Sequence, residues 1–252
     1  MSDNQAIFYS SANSPLFKNT NINFALTSRY GGKSLQPYDS LNLAYHVGDK
    51  ISHVHKNRKI IQNIFHSDKK LLWIDQIHSD IILDIEKKDY KHGFVGTADA
   101  MICANENVTC MVMIADCNPI LIYDQNIRCF GLIHAGREGL VKSIIPKTID
   151  KMIQTYGATT KNMLVFVGAS IRKCCYEVSE NLAMSFKKSY IIKDNSKYRL
   201  DLIALLNDQL TQSNISSKNI EVLPICSCCE MDLFSYRRDH TTGRFGLLAT
   251  LV

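Results

Sequence analysis

One cysteine and two histidines carry the most chemical potential in this 252-residue chain. Cys117 lies in ADCNPI, residues 115–120, immediately after the apolar run 111–115. His134 lies in IHAG, residues 133–136, and closes a second apolar run that starts at Cys129. His78 lies in QIHSD, residues 76–80, just beyond the apolar segment 71–74. Runs of this kind read as buried strands, so the thiol and the imidazoles sit at strand ends, where side chains from different strands converge. One thiolate and two imidazoles meeting at a point make a three-ligand zinc site with an open fourth position. A catalytic metal needs that opening; a structural site is normally closed by four protein ligands. The same residues admit a rival, in which Cys117 beside His78 or His134 is a thiolate nucleophile attacking an acyl carbon. Geometry separates the two, since a metal requires all three side chains on one point and a dyad only one imidazole in reach. Copper oxidase chemistry fits less well than zinc. The chain has a single HxH, His53 to His55, among eight histidines, and no methionine is placed to complete an axial-Met site.

Several further residues are candidates for work around such a centre. Arg29 stands in TSRYGGKS, residues 27–34, where two glycines allow close backbone approach and the guanidinium offers a fork of donors. Asn42 and His46 lie in the turn-rich stretch 37–49. Asp116 adjoins Cys117. Arg237 and Arg238 lie in SYRRDHTTGR, residues 235–244, with Asp239 and Arg244; neighbouring arginines diverge, so one is expected in a pocket and the other on an acid. A second set of thiols, Cys174-Cys175 and CSCC at 226–229, is not the two-pair pattern of zinc ribbons. Adjacent cysteines rarely ligate one ion, so loop or buried thiols near the site are expected there, not a structural zinc.

These residues must be positioned by something, and the pattern predicts strands interspersed with helices. Strands are expected at 22–26, on both sides of 76–80, through 101–133, at 163–167 and at 220–225. A polar connection covers 87–96. Asp49 is a potential cap for a helix with Val54, Ile61, Ile64 and Phe65 on one face. The stripe from Leu140 to Tyr156 contains Pro146, which predicts a kink or a late start. Residues 177–188 and 201–210 read as two more amphipathic helices. The alternation implies an α/β (α+β) fold, and connections too short for crossover helices imply mixed β-sheets flanked by helices. No linker or composition shift divides residues 1–252, so a single domain is expected.

Bulk properties narrow the classes. A formal charge of +5 without a dense basic block argues against nucleic-acid binding. No apolar stretch approaches the ~20 residues of a membrane span, and the first residues lack a signal-peptide pattern. Nine cysteines, an odd number in a chain of this size, fit a reducing cytoplasm without required disulfides; Cys103, Cys110 and Cys129 read as small core residues. The sequence favours neither a monomer nor a homo-oligomer.

Taken together, TSRYGGKS, PYDSLNL with HVGD, QIHSD, TADAMI, ADCNPI, IHAG, CCYEV and FSYRRDHTTGR follow one another over nearly the whole chain. In that order they resemble the YfiH-type laccase-domain family, also called polyphenol oxidases or purine nucleoside phosphorylases. The resemblance implies a single domain of mixed sheets flanked by helices, with zinc held by His78, Cys117 and His134. It implies phosphorolysis of adenosine, inosine, guanosine or methylthioadenosine, and deamination of adenosine, with purine nucleosides and phosphate as partners. Phosphorolysis requires cationic groups to orient phosphate, for which Arg29 is the first candidate and Arg237 or Arg238 the second. Asn42 would hold a ribose hydroxyl or base edge, and Asp116 would move a proton or orient a ligand. One departure stands out: the family usually has Trp-Arg-Gly after HAG, and this chain has Arg137-Glu138-Gly139. The change bears on phosphate binding and base stacking, not on the metal triad. Alternatives are a Cys117-dependent amide hydrolase, a copper-dependent polyphenol oxidase, and a metal-stabilised binding protein without turnover.

Overall fold

Four seven-residue strands are buried along their whole length, and a strand is buried on both faces only where both faces are covered. They are β7 (Val108–Ile114), β8 (Asn118–Asp124), β9 (Cys129–Ala135) and β15 (Phe245–Leu251). Their alternate residues enter different cores, as the two-residue period of a strand requires. Cys110, Val112 and Ile114 of β7 join Leu121 and Tyr123 of β8, Phe130 and Leu132 of β9 and Phe245 and Leu247 of β15 in a central core. Met111, Met113 and Leu248 point to a second core, and Ile120, Ile122, Ile133 and Ala135 to a third.

The computed structural model, which describes residues 5–85 and 90–252, resolves these cores into layers. One sheet contains β1 (Ile7–Ser10), β2 (Ile22–Thr27), β15, β7, β3 (Lys70–Asp75) and β5 (Phe94–Thr97), in that order. The other contains β14 (Ile220–Val222), β10 (Met163–Val167), β8, β9, β6 (Ala100–Cys103) and β4 (Ile82–Ile85). Both mix parallel and antiparallel pairs. They share the central core face to face. Helix α1 (Ile51–Phe65) covers the outside of the first sheet through Ile61, Ile64 and Phe65. The outside of the second sheet is covered by α3 (Ile144–Tyr156) and α5 (Leu202–Gln212) through Ile145, Ile149, Leu206 and Leu210. A short helix α2 (Arg137–Val141) follows β9. The expected α/β architecture of mixed sheets flanked by helices is what the chain forms. Among the described residues, no helix is long and apolar enough to cross a membrane.

Local readings met the structure unevenly. Pro146 is the third residue of α3, where its missing N–H is one that no helix satisfies, so the helix starts late instead of kinking. Asp201 caps α5 by accepting from the Ala204 amide, and Cys103, Cys110 and Cys129 are buried. Asp49 does not cap α1. Its Oδ2 accepts from Ser34 and Asn42 instead, and Lys50 occupies the cap position without a side-chain bond. The helix expected over 177–188 is also corrected: residues 177–178 form β11 (Glu177–Val178), and α4 (Glu180–Met184) spans five residues. β11 pairs with β13 (Lys197–Leu200), itself paired with β12 (Ile191–Asp194) in a small third sheet, so pairing overrides the helical stripe. The polar connection expected at 87–96 lies partly outside the described residues, and its end forms β5.

Candidate metal centre and its cavity

The chain passes from one large sheet to the other at the ends of β3 and β7. These strands are parallel neighbours, so their C-terminal ends lie side by side. Residues 76–81 cross from β3 to β4, and residues 115–117 cross from β7 to β8. β9 runs antiparallel to β8, with Asn118 opposite Ala135 and Pro119 opposite His134, which brings its C-terminal end to the same place. Topology thus delivers His78, Cys117 and His134 to one end of the sandwich.

Their ligand atoms all lie within 4.8 Å of one another. Cys117 Sγ is 3.6 Å from His78 Nε2, and the imidazoles of His78 and His134 sit edge to face with centroids 4.9 Å apart. Two residues hold the His78 turn. The Gln76 amide donates to the Met113 carbonyl at 2.7 Å and its oxygen accepts from the Met113 N–H at 2.8 Å, mimicking one more rung of the β3–β7 ladder. Buried Asp99 accepts from the backbone amides of Ile77, His78 and Ser79 and from the Ser79 hydroxyl. It also accepts from His134 Nδ1 at 2.8 Å, which leaves Nε2 of that ring for a ligand. A carboxylate on the far nitrogen of a ligating imidazole fixes its tautomer and raises its basicity. His78, at φ 60°, and Asp116, at φ 93°, take left-handed backbone to aim their neighbourhood at the centre. Gly136 is required sterically: a Cβ there would stand 2.8 Å from His78 Cδ2 and 3.0 Å from Cys117 Sγ.

The electrostatics match a ligand set. Burial raises the Cys117 thiol, but the adjoining His134 and His78 outweigh it and hold the thiol down at about 6. Burial lowers His134, and the Cys117 thiolate with the Asp99 hydrogen bond overrides it, raising the imidazole to about 9. A divalent metal ion would take the place of the proton on the same atoms. The donor set, spacing and Gly136 clearance therefore fit a metal with three protein ligands, and no fourth protein ligand joins them among the described residues.

The centre opens into a cavity of about 330 Å³ lined also by His46, Ile171, Tyr176, Tyr236, Arg237 and Arg244. Arg237 donates to the carbonyls of Cys175 and Glu177 and lies over the Tyr176 ring at 5.2 Å. Arg244 lies 5.9 Å over the Tyr236 ring, and burial lowers its guanidinium. Burial, then Arg244, lowers His46 as well.

Of the other expected site residues, Asp116 borders the cavity, and Arg29, Asn42 and Arg238 do not line it. Arg29 does not line the cavity; it donates to Asp39 and packs over Phe234. Asn42 is fully buried and bonds Ala44, Asp49 and the Arg244 amide. Arg238 pairs with Asp239 and ties down the carbonyls of Ser227, Cys228, Glu230 and Leu233. Asp116 borders the cavity with both oxygens committed, one to the Ser227 hydroxyl and one to the Arg237 amide, each at 2.7 Å. It braces a loop, which favours orientation over proton transfer. The divergence expected of Arg237 and Arg238 holds, though on a helical turn, α6 (Tyr236–Asp239), not a strand. Arg137 and Glu138 form an ion pair with each other on α2, outside the lining. Asp99, Gln76, Tyr176 and Tyr236 were not singled out from sequence. Asp99 and Gln76 sit inside TADAM and QIHSD, yet nothing in either run says where the side chain points.

A family described as multi-copper polyphenol oxidoreductase laccase matches residues 23–252. The chain belongs to this laccase-domain family. A purine nucleoside phosphorylase of Corynebacterium glutamicum is 33% identical over 232 residues, covering 90% of this chain and 93% of that protein. Purine nucleoside phosphorylase YfiH of Escherichia coli is 30% identical over 90% of this chain and 92% of its own length. Among solved structures, the YfiH protein of Bacillus licheniformis superposes with a TM-score of 0.86 at 26% identity, covering 96% of this chain and 98% of that one. YlmD of Geobacillus stearothermophilus gives 0.86 at 26%, over 95% and 94%. The family description speaks of copper, whereas the laccase-domain centre here offers one Cys and two His. Met113 lines the cavity, but its sulfur is engaged by Arg58 at 3.3 Å.

Proposed function

We propose that this laccase-domain protein is a zinc-dependent purine nucleoside phosphorylase that also deaminates adenosine. The observation that carries the reading is a three-ligand centre open to a cavity with two arginines and two tyrosines in its wall. The names of the relatives support the substrate class.

In phosphorolysis a phosphate oxygen bonds to the anomeric carbon of the ribose, the glycosidic bond breaks, and the purine leaves with the bond's electron pair and gains a proton. Arg237, a second candidate from sequence, and Arg244 supply positive charge for the phosphate, in the place first given to Arg29. Tyr176 and Tyr236 offer faces for the purine. His46, held neutral by burial and by Arg244, is free to exchange a hydrogen bond with a sugar hydroxyl or the phosphate. Asp116 positions Arg237 through its amide, and Asp99 holds His134. Zinc on His78, Cys117 and His134 would supply Lewis acidity for both activities. Asn42 contributes by holding the Arg244 amide instead of touching ribose. Nine free cysteines fit a reducing cytoplasm.

Adenosine incubated with zinc-replete protein, with and without phosphate, tests this by product chromatography. Adenine formed only with phosphate supports phosphorolysis, and inosine formed in both supports deamination. No product with any purine nucleoside would overturn it. A second reading rests on one observation, the Cys117 thiol held at about 6 beside His78. A metal-free hydrolase acting through Cys117 would keep activity under chelation and lose it on alkylation.

A further inference from the structure

Four thiols that the sequence gives no reason to unite converge at one point. Cys174 and Cys175 lie in the turn that follows β10, and Cys226 and Cys229 in the turn that follows β14. Their Sγ atoms all fall within 4.8 Å of one another. Cys174 to Cys229 is 3.8 Å and Cys175 to Cys229 is 3.3 Å. Sulfurs around a tetrahedral zinc, with bonds of about 2.3 Å, are roughly 3.8 Å apart. A disulfide requires about 2.0 Å, and all nine cysteines are free.

The surroundings suit a metal. Residues 226–229 read CSCC, so Cys226 and Cys229 are spaced as CxxC, and the amides of Cys229 and Glu230 both close onto the Cys226 carbonyl in a tight turn. The Arg172 amide donates to Cys226 Sγ at 3.4 Å, which favours a thiolate. On the other side, the amides of Cys175 and Tyr176 both bond the Arg172 carbonyl, curling adjacent cysteines onto one centre. The Arg172 guanidinium is fixed by the carbonyls of Gly168, Leu223 and Ile225, and its Nη1 is buried without a hydrogen-bond partner. A tetrathiolate bearing a divalent ion keeps net negative charge for that cation to balance.

We propose that Cys174, Cys175, Cys226 and Cys229 bind a structural ion of the zinc class, closed by four sulfurs, distinct from the His78–Cys117–His134 centre. The ion joins the two turns that build one wall of the cavity. The first carries Tyr176 and the carbonyls that hold Arg237; the second leads through Ser227, bonded to Asp116, to Tyr236 and Arg237. The value of that wall for catalysis rests on the reading above; the binding of the ion does not.

The test is metal content of the full chain, isolated anaerobically with reductant, by plasma mass spectrometry. About two zinc ions per chain are expected, falling to about one in Cys117→Ser and to about one in a Cys226→Ser/Cys229→Ser double variant. Co2+ loaded into Cys117→Ser should show the strong visible absorption of a tetrathiolate. If the double variant does not fold, Cys174→Ser, at an exposed thiol, is assayed instead and should release its second ion to a chelator at least tenfold faster than Cys117→Ser does. One ion in the wild type that Cys117→Ser abolishes would overturn the proposal. So would an intact mass showing a disulfide among these cysteines in the anaerobic protein. Failure of nucleoside turnover leaves every one of these readings unchanged.

Discussion

His78, Cys117 and His134 stand where three strand ends meet, whereas Cys174, Cys175, Cys226 and Cys229 stand in two turns outside both large sheets. At the first centre the fold holds the ligands: paired strands set the approach, Asp99 locks a turn and an imidazole together, and Gly136 clears the space. Three donors are aimed inward and the remaining side faces a cavity. At the second, four donors face one another and two of them are exposed. There the ion would add to the Ser170–Ser227 and Arg172–Cys226 hydrogen bonds that already join the two turns. A catalytic ion needs a prebuilt site with a vacancy, and a structural ion needs enough ligands to do the building.

That contrast breaks most sharply at Cys117. Replacing it with alanine should bring nucleoside phosphorolysis to background while leaving the four-thiol ion in place, as zinc content and product assay together will show. Next in size is a difference in reactivity. In metal-free protein Cys117 is held at about 6, while burial and then Cys226 push Cys174 up to about 11. Iodoacetamide at pH 7 should therefore modify Cys117 roughly a hundredfold faster, after discounting for the greater intrinsic nucleophilicity of the more basic thiolate. Peptide mass spectrometry reads both sites, and equal rates would remove the electrostatic distinction between the clusters.

Asp99→Asn should weaken metal binding at the first centre about 10- to 100-fold and spare the second. Burial raises the Asp99 carboxyl, but hydrogen bonds from His134 and Ser79 prevail and hold it below its ordinary value. Its stabilisation is therefore present above about pH 4, the unfolded value, and is lost as pH falls through the folded one. Denaturant titrations at neutral pH should show a loss on the order of 1–3 kcal/mol in the variant, shrinking in acid. Arg237→Ala should raise KM for phosphate about tenfold, against less than about twofold for Arg29→Ala, whose guanidinium stays outside the cavity; the reverse order would return phosphate binding to the 27–34 loop. Smallest is Gly136→Ala. Its methyl must displace His78 or Cys117 by a few tenths of an ångström, so zinc affinity should fall several-fold, on the order of 1 kcal/mol, with the four-thiol ion unaffected.

The first centre was legible because its ligands end strands that announce themselves. Uninterrupted apolar runs at 111–115 and 129–133 end on chemically distinctive residues, and QIHSD follows a third. The strand at 163–167 was legible as another apolar run, and the one at 22–26 by its alternation of apolar and polar residues. Arg29, Asn42 and Arg238 were misplaced because a polar side chain in a turn-rich run bonds equally well inward or outward. The partners here, Asp39, Asp49 and Asp239, lie within ten residues along the chain, but the turn conformation that brings each pair together is not written in the apolar pattern. The short β11 replaced a helix because its partner strand lies about twenty residues away, beyond any local stripe.

Residue order by itself determined the layered α/β fold, through the periods of its apolar residues, and it pointed to His78, Cys117 and His134 as candidate ligands, through their places at strand ends and the motifs around them. It also determined membership of the laccase-domain family. Only the tertiary structure decided that β3 and β7 lie parallel, so that both crossings between sheets fall at one end and three ligands become a site. Only it decided that Arg237 and Arg244 face the cavity, that Asp99 supports His134, and that Cys174 and Cys175 meet Cys226 and Cys229. Local pattern reports which face of an element is apolar, whereas convergence of distant loops depends on how the elements pack, and no single segment carries that information.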